Sequence, residues 1–217
     1  MYFSSAFTAF FKNLAAHNDR DWFNDNKKIY LKEVKQPFES LVADLIEATG
    51  SKLLVKDATF RINRDTRFAK DKTPYKLHVG AVISDGGRKD MQIPGLYVQL
   101  SVEEQWMGGG MYMPDKENLF KIRQAIANEP EKWEKLISDK KFVELFGSIK
   151  GEKNKILSKD VKALNSDNPW LFNKQFYCMA EYKDEKIPLR KDLLSFILNH
   201  QVVASGVNDF LKSAIMK

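Results

Sequence analysis

The sequence predicts an α+β fold: an antiparallel meander sheet of about five strands, packed against N-terminal and C-terminal helices in a single domain. Three observations predict it. The first 50 residues repeat apolar side chains at helical spacing, residues 56–113 alternate them at strand spacing, and the links between the later strands are too short for parallel crossovers. At 217 residues, 43% hydrophobic and 12% aromatic, the chain has the apolar material for one core.

Ser4 or Ser5 caps a first helix reaching about Ala16, with Phe7, Phe10, Phe11 and Leu14 on one stripe. His17 and Asn18 break it, and Asn18 or Asp19 caps the next helix. The run to Gly50 reads as one or two helices interrupted or kinked near Pro37, with Trp22, Phe23, Tyr30, Val34, Phe38, Leu41, Leu45 and Ile46 buried. Strands begin after Val55. Thr59–Asn63 alternates Phe60 and Ile62 with Arg61 and Asn63. The polar link Arg64–Tyr75 reads as a loop. Lys76–Ser84 sets Leu77, Val79, Ala81 and Ile83 against Lys76, His78, Gly80 and Val82, and Asp85-Gly86-Gly87 is a turn.

Gly95–Val102 places Leu96, Val98 and Leu100 inward, with Tyr97, Gln99 and Ser101 outward. After the Glu103-Glu104 turn, Gln105–Tyr112 is a fourth strand carrying Gly108, Gly109 and Gly110, and Met107, Met111 and Met113 read as core. Helices are predicted over Pro114–Asn128, Pro130–Ile137 and Lys141–Phe146. Gly147–Asn168 is lysine-rich, poor in aromatics and expected to be an exposed connection, and Trp170–Phe172 is expected to be a packed turn. A fifth strand over Gln175–Tyr182 precedes two closing helices, about Leu189–Asn199 and Gly206–Met216.

The net charge of +6 and pI near 9.2 invite a nucleic-acid reading, but the lysines are scattered among aspartates and glutamates as on an ordinary surface. No apolar run is long enough for a membrane span, and no basic leader precedes the apolar start. Cys178 is the one cysteine, so disulfides within the chain are excluded and a reducing cytoplasm is expected. A metal site has no support: His17, His78 and His200 are far apart and there is no HExxH. Neither a GxSxG elbow nor a P-loop is present.

The chemistry concentrates between Phe60 and Ser84. That stretch holds Arg61, Arg64 and Arg67, three of only seven arginines, together with His78. Guanidinium presents a rigid fork of donors suited to carboxylate or phosphate, where lysine offers a mobile point charge. If consecutive strands pair, Arg61, Asn63, Lys76, His78, Tyr97 and Gln99 share one sheet face beside the gap left by Gly108–Gly110. The expectation is a pocket for an anionic, phosphate- or carboxylate-bearing small molecule, in which His78 is the candidate acid or base and the other groups bind and orient. Two further readings stay open. The arginine loop contacts nucleic-acid phosphates, or it is a structural clasp, salt-bridged to Asp65, Asp71 or the helix carboxylates Asp19, Asp21 and Asp25, within an interaction domain. Substrate, cofactor and oligomeric state are not legible.

Several motifs together resemble a known family. These are WF..NK..Y......PF..L at Trp22–Leu41, FRI.RD.RF.KDK.PYK.H.GA at Phe60–Ala81, GGRK at Gly86–Lys89 and GGG.Y.P at Gly108–Pro114. In this order they are similar to the bacterial and fungal family filed as domain of unknown function 2461, over most of the chain from about Phe7. The resemblance departs at Gln99, where members often carry histidine. It implies no established activity, but its motifs coincide with the groups that strand alternation places on one face.

Overall fold

The computed structural model describes residues 1–165 and 167–216. Its sheet has four antiparallel strands in sequence order, β1 (His78–Ile83), β2 (Leu96–Ser101), β3 (Gln105–Met111) and β4 (Phe176–Tyr182). The meander is as expected for β1 to β3, whose links leave no room for a crossover. The expected strand Thr59–Asn63 is not part of it. That segment makes only isolated antiparallel bridges, Thr59 with Ala81 and Asn63 with Tyr75. The reason is a break in register. The Phe60 amide donates to the Gly80 carbonyl and the Lys76 amide to the Ile62 carbonyl, so two residues of advance on one side face four on the other. The surplus lies at Leu77–Val79, a bulge that interrupts the ladder. It also turns Leu77 out, to 36% exposure, against its expected place with Val79, Ala81 and Ile83.

The chain divides into two compact units. The first comprises Met1–Ile83, Tyr97–Met107 and Glu181–Leu198. It opens with α1 (Ser5–Ala16), capped by the Ser4 hydroxyl, which buries Phe7, Phe10, Phe11 and Leu14. Helix α2 (Arg20–Asp25) is capped by the Asp19 carboxylate accepting from the Trp22 amide, and α3 (Lys27–Ile29) comes directly after it. The interruption expected near Pro37 is a π-helical segment, Tyr30–Lys35, joined to α4 (Gln36–Ala48) with Pro37 in its first turn. Proline has no N–H and its ring clashes with the preceding turn, which a helix tolerates only where the ladder is already loosened. Phe38, Leu41, Val42, Leu45 and Ile46 form the buried stripe of α4, each such side chain contributing about 1.5–3 kcal/mol. Both α4 and the single turn α5 (Val55–Ala58) pack on β1.

The second unit comprises Ser84–Leu96, Gly108–Ala180 and Asn199–Lys217. Helix α6 (Lys116–Asn128) starts two residues later than expected, because Asp115 caps it through the Asn118 amide. Helices α7 (Pro130–Ile137) and α8 (Lys140–Phe146) come next, with Trp133, Ile137, Phe142 and Phe146 buried. The segment 147–168, expected as an exposed connection, carries bridges from Lys150 to Tyr177 and from Lys153 to Asn173, then α9 (Lys159–Asn165). Its few apolar residues are well placed. Ile149 is buried, and Leu157 and Val161 join Leu171 in a small core of their own. Ser166 of that expected connection lies outside the described residues.

Two further expectations are corrected. The closing helices are one, α10 (Leu193–Ile215), and Gly206 continues it rather than starting a new one. A Cβ at Gly206 would stand 2.8 Å from Leu136 Cδ2, the end of a half-buried side chain that can turn aside. Met113, expected in the core with Met107 and Met111, is 60% exposed because it lies past the end of β3. Among the described residues no helix is long and apolar enough to cross a membrane.

Candidate functional site

The arginine loop is laced to itself. Arg64 donates to the Asp71 carboxylate and to the Thr73 hydroxyl. Arg67 grips Asp65 with two bonds, from Nε at 3.0 Å and from a terminal nitrogen at 2.6 Å. Lys72 Nζ donates to the Thr66 carbonyl at 2.9 Å. The Asp65 carboxyl is held at about 2, chiefly by the Arg67 guanidinium, and Asp71 at about 2, by the Thr73 amide first and then Arg64. Two of the three arginines are therefore already engaged by carboxylates within the loop. Arg61 is exposed and meets no carboxylate within 4.0 Å among the described residues, and Asn63 is exposed too.

Behind the loop the polar groups are better sheltered. Asn18, between α1 and α2, both donates to the Tyr75 carbonyl at 3.0 Å and accepts from its amide at 3.1 Å. Its side chain thereby imitates a neighbouring strand, and Tyr75 stacks on Phe23 with centroids 4.0 Å apart. Next along the chain, Lys76 is half-buried with Nζ 5.3 Å from the Phe60 ring centre. Burial, and then the neighbouring Arg61, pull its ammonium below the usual lysine range. His78 is pushed down to about 4, by burial first and by Lys76 second. At neutral pH its imidazole is uncharged, and its ring nitrogens have no hydrogen-bond partner among the described residues.

His78 stands where two cavities meet. A smaller one, about 190 Å³, is lined by the end of α1 (Phe11, Lys12, Ala15), by Gln99 and Ser101 of β2 and by the Val102–Glu104 turn. A more open one, about 380 Å³, is lined by Asn18, Arg64, Asp71, Thr73, Tyr75 and Lys76. Ala15, Leu77 and His78 border both. Tyr97 donates its hydroxyl to Gln99 Oε1 at 2.8 Å, which orients that amide, but Tyr97 itself lines neither cavity.

The expected residues thus separate into three groups. Arg64, Lys76, His78 and Gln99 line the cavities. Arg61, Asn63, Arg67 and Tyr97 lie outside the linings, Arg61 acting on Lys76 through its charge and Tyr97 holding Gln99. Gly108, Gly109 and Gly110 also line neither cavity, and their lack of side chains has another cause. A Cβ would come within 2.0 Å of the Cys178 carbonyl oxygen at position 108 and within 2.3 Å of the Phe176 carbonyl oxygen at position 110, while position 109 abuts Asn208. The run makes room for β4 and α10.

Lys12, Asn18, Ser101, Glu103 and Glu104 were not expected. For Ser101 and Glu103 the signal existed: carrying the Tyr97–Gln99 alternation two more places puts both on the same face. Lys12 and Asn18 come from a distant part of the chain, and no local pattern marks them. The arrangement offers a cation at Lys76, a neutral proton acceptor at His78 and an amide at Gln99. No group of three or more His, Cys, Asp or Glu side chains among the described residues is placed to hold a metal.

A family model described as "Conserved hypothetical protein (DUF2461)" matches residues 6–210. No curated protein and no solved structure matches the chain.

Proposed function

The chain belongs to the DUF2461 family of conserved hypothetical proteins, and from that premise we propose that it binds, and turns over, an anionic small molecule at the cavities around His78. One observation carries the reading. Lys76 and Arg61 repel one another, and among the described residues no carboxylate lies within 4.0 Å of Lys76, at the wall of an open cavity. A bound phosphate or carboxylate removes that repulsion and supplies the missing partner. His78, neutral at pH 7, is then the group able to accept a proton from the ligand, and Gln99 and Arg64 orient it. A reducing cytoplasm, suited to the buried free thiol of Cys178, belongs to the same proposal.

The test is a thermal-shift and NMR titration of the whole chain with inorganic phosphate, ethyl phosphate and butyrate. A ligand at about 100 times its dissociation constant stabilises by about 2.7 kcal/mol, and an anion beside His78 raises that ring's pKa. Lys76→Met should abolish both effects. An unmoved His78 titration across all three probes would discard the reading.

A nucleic-acid role has one observation in its favour. Phe68, at the tip of the arginine loop, is 97% exposed with the Arg67 guanidinium 6.0 Å from its ring centre, an arrangement on which a base can stack. It predicts retention of single-stranded oligonucleotides that falls steeply with salt and is lost in Phe68→Ala.

A further inference from the structure

The two cavities that share His78 carry opposite charge. In the smaller one, Lys12 is neutralised by Glu185 at 2.8 Å. Glu104 is only partly offset, by Lys183 at 3.9 Å and by the Trp106 indole N–H at 3.2 Å. Glu103 meets no cation within 4.0 Å among the described residues. The balance there is negative. In the larger cavity Asp71 is consumed by Arg64, which leaves Lys76 and a positive balance. On the wall of the smaller cavity, beside His78, lies Gln99, a residue more than nine-tenths buried, whose Oε1 is taken by Tyr97 and whose NH₂ has no hydrogen-bond partner among the described residues. Its donors face the cavity and are free to donate to a group bound there.

We infer that the ligand is bipolar, a small molecule with a phosphate or carboxylate at one end and a protonated amine at the other. This rests on the anion-binding reading above. The anionic end lies against Lys76, the middle passes Leu77 and His78 and accepts from the Gln99 amide, and the ammonium end lies against Glu103 and Glu104. An anion alone gains from one cavity and is repelled by the other, so the amine is what separates the true ligand from simple anions.

Calorimetric titration of the whole chain with matched probes tests this: 2-aminoethyl phosphate against ethyl phosphate, and 4-aminobutyrate against butyrate. The expected result is a preference of about threefold or more for the amino member of each pair, the size of one solvent-facing ion pair. Glu103→Gln with Glu104→Gln should erase the preference while ethyl phosphate binding is kept or tightens, because the acidic repulsion is gone. Should the double variant not fold, the exposed Glu103→Gln alone should reduce the preference. Ethyl phosphate binding with no amine preference would overturn this inference and leave the anion reading standing. So would a preference that survives the glutamine variants. Failure of every anionic probe to bind would overturn both.

Discussion

His78 keeps its neutral form far into the acidic range, because burial strips water from the ring and Lys76 repels an arriving proton. The unfolded ring takes its proton near 6.5 and the folded one near 4. Between those values the unfolded chain holds more protons, so stability rises with pH: it is complete above 6.5 and declines as pH falls toward 4. Urea unfolding at pH 7.5 and 4.5 should show the parent losing about 2–3 kcal/mol more than His78→Gln over that interval. Equal losses would mean the ring is solvated. Strand alternation alone was enough to single out His78. Its protonation state was not legible, because it depends on how deeply the ring is covered and on what charge lies beside it. Arg67 shows the converse. Its type suggested an anion site, yet its fork is filled by Asp65 two residues away.

Elements were recognised best where one local periodicity governs them. The stripe of α1, the cap of α2 and the alternation of β2 all arise from side chains within a few residues of one another. The segment Thr59–Asn63 has the same alternation and fails as a strand, because the surplus residues that break its ladder lie in its partner. The glycines of β3 are a similar case. Gly110 combines a φ of +102° with a carbonyl oxygen 2.3 Å from where a Cβ would sit, whereas Gly147, at φ +73°, has nothing within 4 Å. Gly110→Ala should therefore cost about 3 kcal/mol or more, strain and overlap together, and Gly147→Ala about 1 kcal/mol, strain alone. Denaturant midpoints measure both. Similar costs would show that β4 does not crowd position 110.

Across the whole molecule, each compact unit is assembled from separate stretches of chain. The unit that contains the cavities needs Tyr97–Met107 and Glu181–Leu198 as well as the first 83 residues. A fragment of residues 1–83 carries α1, α4 and β1 but lacks β2, the partner on which β1 is laid. It should give poorly dispersed amide NMR signals and no cooperative thermal transition, since β1 without β2 leaves backbone groups and apolar surface unpaired. A cooperative transition from that fragment would show that the N-terminal helices hold a core without the sheet.

The sequence by itself determined the α+β class, most helices, three neighbouring strands and the family, and it brought Lys76, His78 and Gln99 together as candidates. Those features are carried by local spacing, or by motifs that survive as strings. Only the tertiary structure decided that four strands pair and not five, that two arginines are spent inside their own loop and that the glycine run serves packing. It alone set Lys12, Asn18, Glu103 and Glu104 around the same histidine. Register, burial and charge balance are sums over groups distant in the chain, and no window along the sequence contains them.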